Sequence, residues 1–196
     1  MIKSKEDLNY YLEQDKLALY VPDGRKYPRP FCDDIWKFQI ALRKTEYAVN
    51  CCNHGIGKLY VLFRKIRYHW ISVKYGFTIP TNVFGPGLSI AHYGTIVVST
   101  AARIGRNCRI HEGVNIGCTN GERQAAVIGD NVFIGTGAKI IGNVTIADNI
   151  VIGAGAVVTK SFSERGITLG GVPARKISDN GSKPFIAAAV YSEKTD

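Results

Sequence analysis

The fold of this chain is decided by two stretches, IGRNCRIHEGVNIG (residues 104–117) and VIGDNVFIGTGAKIIGNVTIADNIVIGAGAVV (residues 127–158). An α-helix repeats every 3.6 residues and a strand every 2, so a period of six fits neither of them alone. It indicates short strands separated by corners, with three six-residue units in each coil of a parallel β-helix. Only Glu122 breaks the count, and the branched residue that recurs at every sixth position is Ile104, Ile110, Ile116, Ile128, Ile134, Ile140, Ile146, Ile152 and Val158.

A second register, four residues after the first, is also small or apolar, except at Asn120. Glycine, asparagine and aspartate often follow the branched residue, and they supply the backbone conformations that corners need. Successive coils would then stack about 4.8 Å apart, with isoleucine on isoleucine inside. A solenoid exposes its end coils unless something covers them.

Residues before the repeat have helical patterns that suit such a cap. Ser4 precedes an acidic first turn, as an N-cap residue does. Two further helices are expected over Asp33–Cys52 and Ile56–Val73, separated at Asn53-His54-Gly55. We therefore predict a mostly β protein with a helical N-terminal region (1–74), a β-helix (75–162) and a C-terminal loop and tail (163–196).

Composition bounds the class of protein. Apolar residues make up 45% and charged residues 21%, as in ordinary globular proteins. The chain lacks both a long apolar run and an apolar signal core, so we expect a cytoplasmic protein. The five cysteines are odd in number and lack metal-binding spacing, which favours free thiols. The net charge of +9 favours an anionic partner, either a nucleic acid, a membrane surface or a polyphosphate cofactor.

The segment Arg64–Trp70 is basic and aromatic and contains no acid. It could be an interfacial helix that touches anionic lipid. The more ordinary interpretation is a solvated face with aromatic packing against neighbouring helices. We follow this interpretation and do not expect membrane contact. No nucleic-acid-binding motif accompanies the segment, so we do not expect a nucleic-acid partner either.

His92 is the first candidate for chemistry, because it comes two residues after the inward-facing Ile90 and should point away from the coil wall. An exposed imidazole can act as a general base near neutral pH, or simply be a surface histidine. Ile110 lies twenty residues after Ile90, one coil of eighteen plus two extra residues that we place at Ile96–Val98. Glu112 should therefore stack on His92, where its carboxylate could orient the ring, meet an acceptor or merely solvate a corner. His111 is a secondary candidate.

A polar segment, Gly117 to Ala126, interrupts the apolar register and stands out from the solenoid. We call residues 117–126 the lid loop, since such a loop can serve as a lid or a subunit contact, or be a plain surface loop. The hexads, the segment IAHYGTIVV (90–98), the lid loop and GVPAR (171–175) together resemble the hexapeptide-repeat acyltransferases, most closely serine acetyltransferase and its relatives in polysaccharide gene clusters. The similarity covers about residues 70–178.

The resemblance implies a left-handed parallel β-helix, an exception to the usual right-handed crossover. It implies a homotrimer with acetyl-CoA in the groove between neighbouring coils, and His92 as the catalytic base that takes the proton of an acceptor hydroxyl. It places backbone groups of Thr136, Gly137, Ala154 and Gly155 along the pantetheine. Lys160, Arg175 and Lys176 are then placed to meet the phosphates, in agreement with the net positive charge.

Departures from the family pattern bear on the acceptor. The aspartate that precedes the base in serine acetyltransferases is Ala91 here, and the residue that orients the base falls near Thr78. The lid's Arg-His pair, which holds the serine carboxylate, falls on Gln124 and Ala125. A neutral amide cannot replace a bidentate arginine, although Glu112 could supply the missing carboxylate.

We therefore expect a CoA-dependent O-acetyltransferase with a small-molecule acceptor and no resident metal. The first choice of acceptor is a sugar hydroxyl, as in surface-polysaccharide biosynthesis, and the alternative is L-serine. A zinc enzyme of the γ-carbonic-anhydrase kind would need three imidazoles, and only His92 and His111 are at hand. A non-catalytic scaffold is the remaining possibility.

Overall fold

The computed structural model describes residues 1–22, 24–119 and 123–191. Three helices come first, and short strands follow to the end of the repeat. The helices are α1 (Lys5–Ala18), α2 (Asp34–Cys51) and α3 (Gly57–Tyr75). The strands are β1 (Phe77–Thr78), β2 (Ser89–Ile90), β3 (Ile96–Val98), β4 (Arg103–Ile104), β5 (Arg109–Ile110), β6 (Asn115–Gly117), β7 (Val127–Ile128), β8 (Phe133–Ile134), β9 (Lys139–Ile141), β10 (Thr145–Ile146), β11 (Val151–Ile152), β12 (Val157–Val158), β13 (Thr168–Gly170) and β14 (Arg175–Ser178).

The strands form three walls of a parallel β-helix. Their orders are β1-β3-β6-β9-β12, β10-β7-β4 and β14-β13-β11-β8-β5-β2, so each wall takes about every third strand of the chain. The inward isoleucines stack on one another: Ile110 pairs with Ile134, and Ile134 with Ile152. All three are buried, as the six-residue period predicts.

Coil lengths explain the breaks in the repeat. Ile128 pairs with Ile146, eighteen residues on, whereas Ile104 pairs with Ile128, twenty-four residues on. The longer coil therefore holds six additional residues, and they fall within the ten residues of the lid loop. The position of Glu122 lies outside the described residues.

The first coil differs from our expectation in one detail. Ile90 pairs with Ile110, twenty residues on, but Val97 and Val98 pair with Asn115 and Ile116, eighteen residues on, so the two extra residues lie after Ile90 and before Val97. They were expected at Ile96–Val98. The additional length therefore lies in the corner that carries His92, and it widens that corner.

The helical region covers the first coil and is joined to it by buried polar groups. Ser4 caps α1, since its Oγ accepts from the Asp7 amide at 3.1 Å. In α2, Arg43 is fully buried and bonds both carboxylates of Asp15 and Glu46 and two carbonyl oxygens of the chain before β2. Gln39 donates to the Leu88 carbonyl at 2.6 Å. The cap is therefore attached by directed hydrogen bonds as well as by apolar packing.

The stack continues past residue 162. Thr168 and Leu169 pair in parallel with Val151 and Ile152, and Leu169 is fully buried. Ile152 and Leu169 are only seventeen residues apart, so a one-residue slip hides this last rung from a six-residue count. β14 then turns back antiparallel along β13.

All five cysteines are unpaired. In the part of the chain that the structure describes, no helix is both long and apolar enough to cross a membrane.

Candidate active site

One corner of the coils carries both catalytic candidates. It lies between the wall that contains β5 and the wall that contains β6, and its coils are joined by ladder hydrogen bonds. The Gly113 amide donates to the Thr95 carbonyl at 2.7 Å, and the Gly137 amide to the Glu112 carbonyl at 2.9 Å. The Gly155 amide donates to the Thr136 carbonyl at 2.8 Å in the next coil. The corner therefore runs as a continuous edge through four coils.

The structure brings His92, His111 and Glu112 together on this edge. A ring nitrogen of each histidine and a carboxylate oxygen of Glu112 all lie within 4.8 Å of one another. The two rings meet edge to face, with centroids 5.5 Å apart. His92 is exposed, whereas His111 is half-buried and packs on Phe133 at 5.0 Å. His111 thus lies closer to His92 than its secondary rank in the sequence suggested.

The two partners of His92 carry different charges. Burial lowers the pKa of His111 below its ordinary 6.5, with further lowering by the charge of Arg109. A hydrogen bond from its own backbone amide, with smaller contributions from the Thr136 hydroxyl and the imidazoles, lowers the pKa of Glu112 below 4.5. Near neutral pH His111 is therefore neutral and Glu112 is an anion.

Two atoms of this cluster lack a hydrogen-bond partner. Nε2 of His111 and Oε2 of Glu112 are buried, and no described residue bonds to either. Buried polar groups are normally satisfied, so these two atoms mark a position where a bound molecule can donate or accept a hydrogen bond.

Gly94 makes the close approach of Glu112 possible. Its φ is +126°, and a Cβ there would lie 3.1 Å from the Cβ of Glu112. A side chain at Gly94 would displace the carboxylate. The widened corner thus supplies the space in which His92 and Glu112 meet.

Lys139 also belongs to this corner, although the sequence did not predict it. It follows the corner in β9, and its ammonium donates to the Gly113 carbonyl at 2.5 Å. The period of six only marks it as an outward-facing residue beside an inward isoleucine, so nothing in the sequence distinguishes it from the other outward lysines.

The residues expected along pantetheine lie on the same edge, below Glu112. Thr136, Ala154 and Gly155 are exposed, and neither Gly137 nor Gly155 has an atom within 4 Å of an added Cβ. The surface is therefore open enough for an extended chain. The amides of Gly137 and Gly155 already donate within the ladder, so these two donors are not available to a bound pantetheine. The stretch offers pantetheine open surface and carbonyl oxygens instead.

The three basic residues expected at the phosphates line one cavity of about 430 Å³ at the C-terminal end of the stack. Lys160 lies over the Phe162 ring at 5.4 Å, and Arg175 is exposed. Lys176 differs, because its ammonium contacts the carboxylates of Glu164 and Asp179 at 2.5 Å each. It can bind a phosphate only by exchanging these partners.

The lid loop joins β6 to β7 and so belongs to a different corner from the one that carries His92 and Glu112. Gln124 accepts a hydrogen bond from the Asn143 amide at 2.6 Å, and Ala125 is buried. Arg123, immediately before them, is exposed. The two other histidines, His54 and His69, belong to the helical region. Among the described residues, the group of possible metal ligands at the corner contains two imidazoles, His92 and His111, together with Glu112.

Known proteins resemble this chain in sequence and in architecture. The family model described as bacterial transferase hexapeptide (six repeats) matches residues 125–160. A serine acetyltransferase of Staphylococcus xylosus is 39% identical over 185 residues, which cover 91% of this chain and 78% of that protein. The chain belongs to the serine acetyltransferase family. A relative from Bacillus pumilus (strain SAFR-032) is 34% identical over 183 residues, with the same coverage.

Solved structures of serine acetyltransferases also resemble this chain. A serine acetyltransferase from Brucella abortus strain S19, in complex with coenzyme A, matches with a TM-score of 0.65 and 27% identity, over 90% of this chain and 70% of that one. The fold expectation is confirmed as a left-handed parallel β-helix with a helical N-terminal region. The chain is an acyltransferase with acetyl-CoA as co-substrate. The comparisons favour L-serine, our alternative acceptor, over the sugar hydroxyl that we placed first.

Proposed function

We propose that this chain is a serine O-acetyltransferase in which His92 is the general base. The single observation that carries the proposal is the cluster of His92, His111 and Glu112 on the edge that continues into the open surface at Gly137 and Gly155. The choice of L-serine as acceptor rests on the relatives named serine acetyltransferase, of whose length this chain covers 78%.

The step follows from the charges at the corner. His92 takes the proton of the acceptor hydroxyl as its oxygen attacks the thioester carbonyl, so that a C–O bond forms. The C–S bond then breaks, and the imidazolium returns the proton to the thiolate, which leaves as free CoA. The Glu112 carboxylate stabilises the transient imidazolium, and neutral His111 positions the His92 ring without opposing its charge.

Glu112 also has a place in binding serine. Its Oε2 is buried without a partner, and the ammonium of an amino acid is a donor that suits a carboxylate. This assignment gives Glu112 the part of the carboxylate that is missing at Ala91. Lys139 brings a positive charge to the same corner and is our candidate to face the serine carboxylate.

A sugar hydroxyl is the second candidate acceptor, and a specific observation favours it. Gln124 and Ala125 stand where the resemblance places the carboxylate clamp. The Gln124 side chain is hydrogen-bonded to Asn143 and Ala125 is buried, so neither forms such a clamp. A sugar needs hydrogen bonds without a counter-charge, which the orphaned atoms of His111 and Glu112 can provide.

Release of CoA from acetyl-CoA tests the activity and the acceptor together. We expect turnover with L-serine, and a loss of roughly 100-fold or more in kcat for His92→Ala. His54→Ala is the matched control, because His54 is an exposed histidine of the segment between α2 and α3. Turnover with a sugar from a panel, but not with L-serine, would show that the acceptor is a sugar hydroxyl. No CoA release with any acceptor would leave the scaffold interpretation.

We further propose that the chain acts as a homotrimer with acetyl-CoA between neighbouring subunits, in the cytoplasm, where the five unpaired cysteines would stay reduced. Light scattering should then give three times the 21.5 kDa mass of one chain.

A further inference from the structure

Helix α3 carries an apolar stripe on the side that faces away from the protein. The exposed fractions reach 87% at Ile56, 69% at Leu59 and 67% at Trp70. Such side chains are usually covered, and a contiguous exposed set marks an interaction surface. The stripe consists of Ile56, Leu59, Phe63, Ile66, Trp70 and Val73, and we call it the outer face of α3.

The spacing of these residues makes the outer face continuous. Steps of three and four residues keep the side chains within about 100° of one another around the helix axis. The stripe runs for about 26 Å along the helix. The inner face, with Val61, Arg64 and Tyr68, packs against the rest of the protein, where the Tyr68 hydroxyl donates to the Ile79 carbonyl. The aromatic packing expected from the sequence therefore applies to Tyr68, while Trp70 points away.

Positive charges border the outer face on both sides. Lys58 and Lys65 lie on one flank, and Arg67 and Lys74 lie on the other; all four are exposed. No acidic residue occurs within α3. A helix with aromatic and aliphatic residues on one face, and with cations as the only charged side chains of its own borders, has the composition of an interfacial membrane helix.

We infer that the outer face of α3 binds the surface of a membrane that contains anionic phospholipid. The charge pattern selects this occupant over a second copy of α3. Two copies that paired along the stripe would bring cations against cations on both flanks, whether parallel or antiparallel, and such pairs oppose association. Anionic headgroups meet the same cations favourably, at a strength that falls with added salt.

Binding to vesicles tests this inference without any substrate of the enzyme, so its outcome is independent of the proposed acetyl transfer. The full chain should sediment with vesicles of phosphatidylcholine and phosphatidylglycerol in equal parts, and not with phosphatidylcholine alone. Trp70 is one of two tryptophans, and the other, Trp36, is buried. The blue shift of emission on binding should therefore disappear in Trp70→Phe.

Two double variants separate the apolar and the charge contributions. Lys65→Gln with Arg67→Gln should weaken binding roughly tenfold or more, and Phe63→Gln with Trp70→Gln should abolish it. Phe31→Gln is the control, because Phe31 is 97% exposed and lies outside α3. Equal sedimentation with both vesicle types, or none with either, would overturn the inference. A lower mass of the Phe63/Trp70 variant in light scattering, without vesicles, would instead assign the face to contacts between copies of the chain.

Discussion

Replacing Arg43 by methionine should be among the most damaging single changes in the helical region. The guanidinium is completely buried, and it bonds Asp15 at 2.8 and 3.2 Å and Glu46 at 3.0 Å. Although burial alone would lower the pKa of Arg43, the two carboxylates raise it above its ordinary value. Methionine would leave both anions buried without their partner, along with the carbonyls of Phe84 and Gly85. Breaking a buried ion pair on one side costs about 3–5 kcal/mol.

For a chain of this size, that loss corresponds to a decrease in Tm of roughly 6–20 °C. Arg29→Met is the matched control, because Arg29 pairs with Asp33 while 62% exposed, and exposed pairs contribute only about 0–1 kcal/mol. Thermal unfolding followed by circular dichroism, at one protein concentration for all variants, gives both values. Equal stability of the two variants would refute the assignment of Arg43 as the polar joint between the cap and the first coil.

Further expectations concern the site itself. Gly137→Ala and Gly166→Ala should cost similar stability, because both residues have positive φ and open space around an added Cβ; only Gly137→Ala should raise KM for acetyl-CoA, and equal KM values would remove Gly137 from the cofactor surface. Lys160→Gln should raise this KM more than Lys176→Gln, because Lys176 is held by two carboxylates; the reverse order in steady-state kinetics would contradict the assignment. Since burial lowers the pKa of His111, the unfolded chain takes up more protons there, so stability should fall as pH drops below about 6.5. His111→Asn should flatten that part of the pH–stability curve in urea titrations. Dialysis against EDTA should leave turnover unchanged, whereas a loss restored by zinc would favour the metalloenzyme alternative.

The β-helix could be predicted from the sequence because its core repeats a local rule. Each inward position needs a branched apolar residue, and Ile110, Ile134 and Ile152 meet that need independently of one another. The same rule located the lid loop as the one unit that fails it. Features that depend on a change of coil length were harder to predict. The seventeen-residue step to Leu169 and the extra residues before Val98 became clear only from strand pairing.

The candidate site shows the same division. His92 and Glu112 could be placed together by counting one coil, because stacking follows directly from the register. The contribution of Lys139 could not be predicted, since its contact depends on how a long side chain crosses to the Gly113 carbonyl. The exposure of Trp70 was also beyond the sequence, because helical spacing defines two faces of α3 without saying which one the protein covers.

The lid loop is inserted between ladder bonds that close on both sides of it. The Gly117 carbonyl accepts from the Gly142 amide at 2.9 Å, and the Ala126 carbonyl from the Arg103 amide at 3.0 Å. A segment that begins and ends at fixed rungs can be exchanged for a longer or shorter one while every isoleucine keeps its neighbour. Evolution, or an engineer, can therefore change the length and sequence of this loop on a scaffold that keeps its shape.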